Sequence, residues 1–264
     1  MRRLLETILL LDADPDLAAD LEPGDLENAR ARSHARVLDI AGPRWDPASV
    51  RQLARPDWLG LFVVDGLMIR SVSVGSRTAC ELFGPGDLTR PWDGDHDYEP
   101  VPIDVSWRVP RSVRLAVLDS DFTRRMCAWP LIIGRIVARF AARARSLALA
   151  QAASHLTRVD GRLLILFWVL SERWGTVGIN GIRIRLPLTH DIIAMLVGVR
   201  RPTVTQGLGR LARAGLLVRE RSDRWLLTPD AIASLNEPEQ LVLLQDPIGG
   251  HPSVGVPVRG DDGR

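Results

Sequence analysis

Arg201, Thr203, Gln206, Arg210 and Arg213 lie close together in the run RRPTVTQGLGRLAR, and these side-chain types suit hydrogen bonding to nucleic acid. Arginine forks onto guanine and glutamine pairs with adenine, while hydroxyls, guanidinium groups and a helix start take phosphate oxygens. Catalytic chemistry has no comparable footing. No Gly-x-Ser-x-Gly, phosphate loop or dinucleotide fingerprint occurs in the chain. An enzyme of the double-stranded β-helix type would need two His and a carboxylate on one metal. The N-terminal half supplies only His34 and His96, far apart and without an H-x-D pair. Catalytic residues, a metal site and a cofactor are therefore not expected.

For those polar side chains to reach DNA, a helix must present them on one face and bury the other. Residues 188–228 read as two short helices, a tight turn and a β-ribbon. Thr189 can cap the first helix with its hydroxyl, and Asp191 suits the positive end of its dipole. Ile192, Ile193, Leu196 and Val197 form an apolar stripe, and Ala194 is small where a second helix must cross. Gly198 falls where the turn needs a positive φ. The second helix starts near Pro202, a residue tolerated in a first turn. Val204, Leu208 and Leu211 fall on its inner side, and Thr203, Gln206, Arg210 and Arg213 on its outer side. Gly215 ends it, and the runs 216–219 and 224–227 read as a wing.

This run, GVRRPTVTQGLGRLARAGLL, resembles the winged helix-turn-helix of the Crp/Fnr family of bacterial transcription regulators. The resemblance implies base contacts for Arg201 and Gln206, at the helix start and middle. Thr189, Arg200, Thr203, Arg210 and Arg213 complete the expected DNA-binding set, the last two as phosphate contacts because they lie further along the exposed face, where the helix leaves the groove. Where the family often has Ser capping the recognition helix, this chain has Arg200, and a bound phosphate can take the place of the cap.

The remaining composition fits a two-part soluble protein. A length of 264 residues allows two domains, each with its own core. All 34 basic side chains are arginine, and the net charge of +2 hides an asymmetry. Residues 121–161 hold seven Arg against two Asp, and residues 186–228 hold seven Arg against three acids. A basic C-terminal half fits one half facing double-stranded DNA. Cys80 and Cys127 lack metal spacing, a reduced cytoplasmic pattern. No apolar run is long enough to span a membrane.

Residues 37–117 carry a β signal: LGLFVV, a turn at Asp65-Gly66, LMIRSVSV, a turn at Gly75-Ser76, then RTACELFG. These read as consecutive strands of a meander, with Asp-Gly as a hairpin cue. With the turn at residues 84–88 they resemble the jelly-roll sensor of the same family. Cyclic-nucleotide binders of that family carry Gly-Glu-x-Ala and then Arg-Ser/Thr. Here Arg111 and Ser112 survive as half of the pair, the only candidate ligand contacts, and no Gly-Glu-x-Ala precedes them. Cyclic AMP is not expected to bind. Asp93, Asp95, His96, Asp97 and Glu99 read as a solvated loop rather than a cation site, and Asp12, Asp14 and Asp16 fail as an EF-hand loop.

A helix over residues 131–156 carries Ile133, Val137, Phe140, Ala144 and Leu147 at alternating steps of four and three, a coiled-coil seam suited to a homodimer, the alternative being that it packs on the barrel. The expected organisation is α+β. A jelly-roll sensor-like domain (1–120) precedes a linker and dimerisation helix (121–159) and a winged helix-turn-helix domain (160–235). A Pro- and Gly-rich tail (236–264) is expected to be disordered. The expected partners are double-stranded DNA, a second copy of the chain, RNA polymerase and a small-molecule effector of unknown identity, with no membrane. The alternative is an effector-independent, architectural DNA binder in which the barrel only supports dimerisation.

Overall fold

Strand alternation builds the N-terminal half. In the computed structural model, which describes residues 6–93 and 102–236, the chain opens with β1 (Thr7–Leu9), α1 (Leu10–Ala13) and a 3-10 turn (Pro15–Ala18). Next come α2 (Pro23–Arg32), β2 (His34–Ala41), α3 (Ala48–Arg51), β3 (Gly60–Gly66), β4 (Met68–Val74), β5 (Arg77–Phe83), β6 (Leu88–Thr89), β7 (Ile103–Arg108) and β8 (Ser112–Leu118). These strands form two antiparallel sheets, one ordered β1-β2-β8-β3-β6 and one ordered β5-β4-β7. Leu61, Val63, Met68, Phe83, Trp107, Val113 and Leu115 fill the space between them. Their neighbours Phe62, Ala116 and Leu118 point the other way, under the helices, as the two-residue period of a strand requires.

Asp65-Gly66 is not a hairpin. β3 pairs with β6 and β8, whereas β4 pairs with β5 and β7. The chain thus passes from one sheet to the other at Leu67, where burying both β3 and β4 outweighs the local turn cue. Gly75-Ser76 does close a two-residue hairpin, with Val74 opposite Arg77. The acidic residues Asp95, Asp97 and Glu99, with His96, and most of the tail lie outside the described residues. Asp12 and Asp14 are paired with Arg30 and Arg139, and no cluster of metal-binding side chains occurs among the described residues.

Two helices lead away from the barrel. α4 (Ser120–Met126) is capped by Asp119, whose carboxylate accepts from the Phe122 N–H at 2.9 Å. α5 (Pro130–Ser154) begins at a proline suited to a first turn. Ile132 and Ile136 of α5 are fully buried against Phe62, Leu88, Ala116 and Leu118.

The C-terminal half contains α6 (Val159–Trp174), β9 (Gly175–Gly178), β10 (Gly181–Arg185), α7 (His190–Val197), α8 (Arg201–Arg213), β11 (Leu217–Arg221), β12 (Arg224–Leu227) and α9 (Pro229–Asn236). Its sheet runs β11-β12-β10-β9. Leu163, Phe167, Ile193, Val204, Leu211 and Trp225 form its core, and Phe167 lies 4.8 Å from Trp225 between ring centres. The outer face of the three-stranded barrel sheet joins this core through Ile69 and Leu82. Cys80 sits in that contact, 3.9 Å from the Ile192 carbonyl, and burial pushes its thiol pKa up to about 12. No described helix is long and apolar enough to cross a membrane.

Candidate nucleic-acid interface

The helix pair is built from local signals. The Thr189 hydroxyl accepts from the Ile192 N–H at 3.3 Å and caps α7. Gly198 ends α7 at φ 69°, a left-handed conformation that glycine adopts without steric cost. Arg200 stands at the N-cap of α8 and makes no side-chain cap, so the helix start is open to solvent. Val204, Leu208 and Leu211 are buried against the rest of the domain. Gly207 is buried with them: a methyl group there would come 2.7 Å from Leu163 Cδ1 and 3.1 Å from Asp160 Oδ1. Glycine thus lets α6 pack directly on α8.

The outward face of α8 exposes Arg201, Pro202, Thr205, Gln206, Gly209 and Arg213. Thr189 and Arg200 are exposed beside it. Thr203 is only half-buried, and Arg210 faces elsewhere. Nε and Nη2 of Arg210 each donate at 2.7 Å to the two oxygens of Asp160 in the first turn of α6. That carboxylate is 6 % exposed and raises the Arg210 pKa through the hydrogen bond. Arg210, expected at a phosphate, is thus held in an ion pair within the domain. Residues 203, 207 and 210 fall on one stripe of the helix, and the absent side chain at Gly207 brings Asp160 within reach.

Three further side chains border the exposed face. His190 Nδ1 lies 2.8 Å from Thr205 Oγ1, which donates to the Arg201 carbonyl at 3.1 Å. Arg219 of the wing donates to the carbonyls of Arg221 and Ser222 at 3.3 and 3.1 Å and lies 5.0 Å over the Trp225 ring. Arg201 approaches Asp191 at 3.7 Å, both exposed. Sequence reasoning missed His190, Thr205 and Arg219. A Thr-His pair opening a helix was legible, but its partner across the turn, fifteen residues on, was not.

Residues 157–235 match the family described as the Crp-like helix-turn-helix domain. The C-terminal part of this chain is a Crp-like helix-turn-helix domain. The chain is 39 % identical over 77 residues to the regulatory protein CysR of Synechococcus elongatus, across 28 % of this chain and 36 % of that protein. The chain thus spans about a third of the length of that curated relative. Two solved structures carry the likeness into the barrel. One is FixK2 of Bradyrhizobium japonicum, with TM-score 0.51 and 16 % identity over 81 % of this chain and 99 % of that one. The other is a cyclic nucleotide-binding domain containing protein of Listeria monocytogenes, with TM-score 0.54 and 14 % identity over 72 % and 88 %. These likenesses show the fold: a barrel ahead of a Crp-like helix-turn-helix domain.

Arg111 and Ser112 do not enter the barrel. They lie at the start of β8, Ser112 as its first residue and Arg111 in the turn before it, in a cleft of about 350 Å³ shared with Trp174, Arg185 and Asp223 of the Crp-like domain. The inner face of β5 is met instead by Arg143 of α5, which ion-pairs with Glu81 at 2.6 Å and stacks 3.5 Å from the Phe83 ring centre. Arg70 holds the same Glu81 at 3.0 Å. Burial lowers the Arg143 pKa, and Glu81 opposes that shift.

The seam on α5 is also rotated from its expected register. Ile133 and Phe140 are half-buried against the barrel core, while Val137, Ala144 and Leu147 are exposed. The side of α5 that the barrel needs is Ile132, Ile133, Ile136 and Phe140. The side left open runs Gly134, Val137, Ala141, Ala144 and Ala148, all exposed, at alternating steps of three and four.

Proposed function

We propose that the chain is a sequence-specific, DNA-binding transcription regulator that acts as a homodimer on an inverted repeat. The observation that carries this reading is α8: its apolar side is buried, and its open side presents Arg201, Thr205, Gln206 and Arg213. Arg201 and Gln206 read base edges from the start and middle of the helix. Thr189, Arg200, Thr203 and Arg213 hold phosphates around it. The open stripe of α5 supports dimerisation through Val137, Ala141 and Ala144, with half-sites about 34 Å apart. The reading divides the chain into a sensor-like barrel (1–120), a linker and dimer helix (121–159), a DNA-binding domain (160–235) and a tail (236–264). Cytoplasmic location and action on RNA polymerase follow from the same reading. The test is selection from a random duplex pool: an enriched inverted repeat supports the proposal, and recovery without sequence preference removes it.

A second reading, an effector-independent DNA binder, is favoured by one observation. Arg143 occupies the inner face of β5 beside α5 with a charge pair of the chain's own. A DNA affinity unchanged by extracted cellular metabolites is the outcome this second reading requires.

A further inference from the structure

His190 stands among cations at the border of the proposed DNA face. Arg219 of the wing and Arg201 of α8 act on it electrostatically, and Asp191 acts from its own helix. The Thr205 hydroxyl has one proton and gives it to the Arg201 carbonyl at 3.1 Å. Toward His190, 2.8 Å away, that oxygen can then only accept. In that arrangement Nδ1 carries the ring proton and, in the neutral ring, Nε2 is a bare acceptor, a tautomer that nitrogen shifts of the free protein test. A bare lone pair repels a phosphate oxygen. Adding a proton at Nε2 turns the same atom into a charged donor while Nδ1–H stays on Thr205.

We propose that His190, with Arg219 of the wing, is a DNA backbone-phosphate site beside the base-reading Arg201, and that it engages only as the imidazolium, so that each His190 takes up one proton from solvent on binding DNA. This rests on the DNA-binding reading. In the free protein burial lowers the His190 pKa first, Arg219 and Arg201 lower it further, and Asp191 opposes them. The free ring is thus neutral at pH 7. A phosphate offsets both arginines and reverses the shift. Affinity then rises as pH falls from the bound pKa to the free one and is level below the free one.

The test is the affinity of the full chain for a mixed-sequence duplex from pH 5.5 to 8.5 at fixed ionic strength, using wild type, His190→Gln and Thr205→Ala. Wild type is expected to lose up to about tenfold per pH unit for each His190 engaged. Gln donates without titrating, so His190→Gln should bind with that slope removed. Thr205→Ala releases Nδ1 and lets the neutral ring carry its one proton on Nε2 instead, donating it to phosphate without taking up a second, and should flatten the slope with His190 intact. Nitrogen shifts of the labelled free protein at pH 8 should show the Nδ1–H tautomer. Equal slopes in wild type and His190→Gln, or an Nε2–H tautomer in the free protein, overturn the proposal and leave DNA binding standing. No binding by any of the three at low salt overturns both.

Discussion

Arg210→Ala separates two physical roles for one arginine. The change removes two hydrogen bonds of 2.7 Å and leaves the Asp160 carboxylate, 6 % exposed, without its cation. Breaking a fully buried pair costs about 3–5 kcal/mol. The Arg210 side chain is 41 % exposed, so solvent screens part of the interaction and a loss of roughly 2–3 kcal/mol is expected. For a domain of this size that is a fall of roughly 8–24 °C in the melting transition of the Crp-like part. The assay is thermal unfolding beside the salt dependence of duplex affinity. An internal ion pair predicts a lower melting point, no change in salt slope, and a coupling energy in the Asp160→Ala/Arg210→Ala double-mutant cycle. A phosphate contact predicts the reverse, with a salt slope smaller by about 0.9 per contact. A variant that melts like wild type but loses that slope would refute the internal role.

Gln206→Ala should cost roughly 1–3 kcal/mol on a selected site and little on scrambled duplex, so competition between the two duplexes should show relaxed specificity. Val137→Glu, on the open stripe of α5, should give monomers by light scattering while the barrel melts as in wild type. Phe140→Asp should instead lower the melting point, because Phe140 packs on the barrel core. Cyclic AMP should give no heat of binding in calorimetry; heat that vanishes in Arg111→Ala would reverse that expectation.

Much of the DNA-binding half was legible in the chain because its signals are local. The Thr189 cap, the Gly198 turn, the Pro202 start and the inward spacing of Val204, Leu208 and Leu211 each depend on a few neighbouring residues and the helical period. The strands of the barrel were legible for the same reason, as was the Gly75-Ser76 hairpin. Three features depended on which surfaces meet. Asp65-Gly66 has the chemistry of a hairpin, yet β3 and β4 go to different sheets because each finds a larger apolar partner there. Arg210 has the composition of a phosphate contact, yet Gly207 lets α6 bring Asp160 beside it. Ile133 and Phe140 share a heptad step with Leu147, yet the barrel claims them and leaves the next stripe open. Sequence by itself determined the elements, their caps and the polar character of α8, since these follow from short-range backbone geometry. Tertiary structure decided which polar and apolar side chains remain available to a partner, since that depends on close approach between segments far apart in the chain.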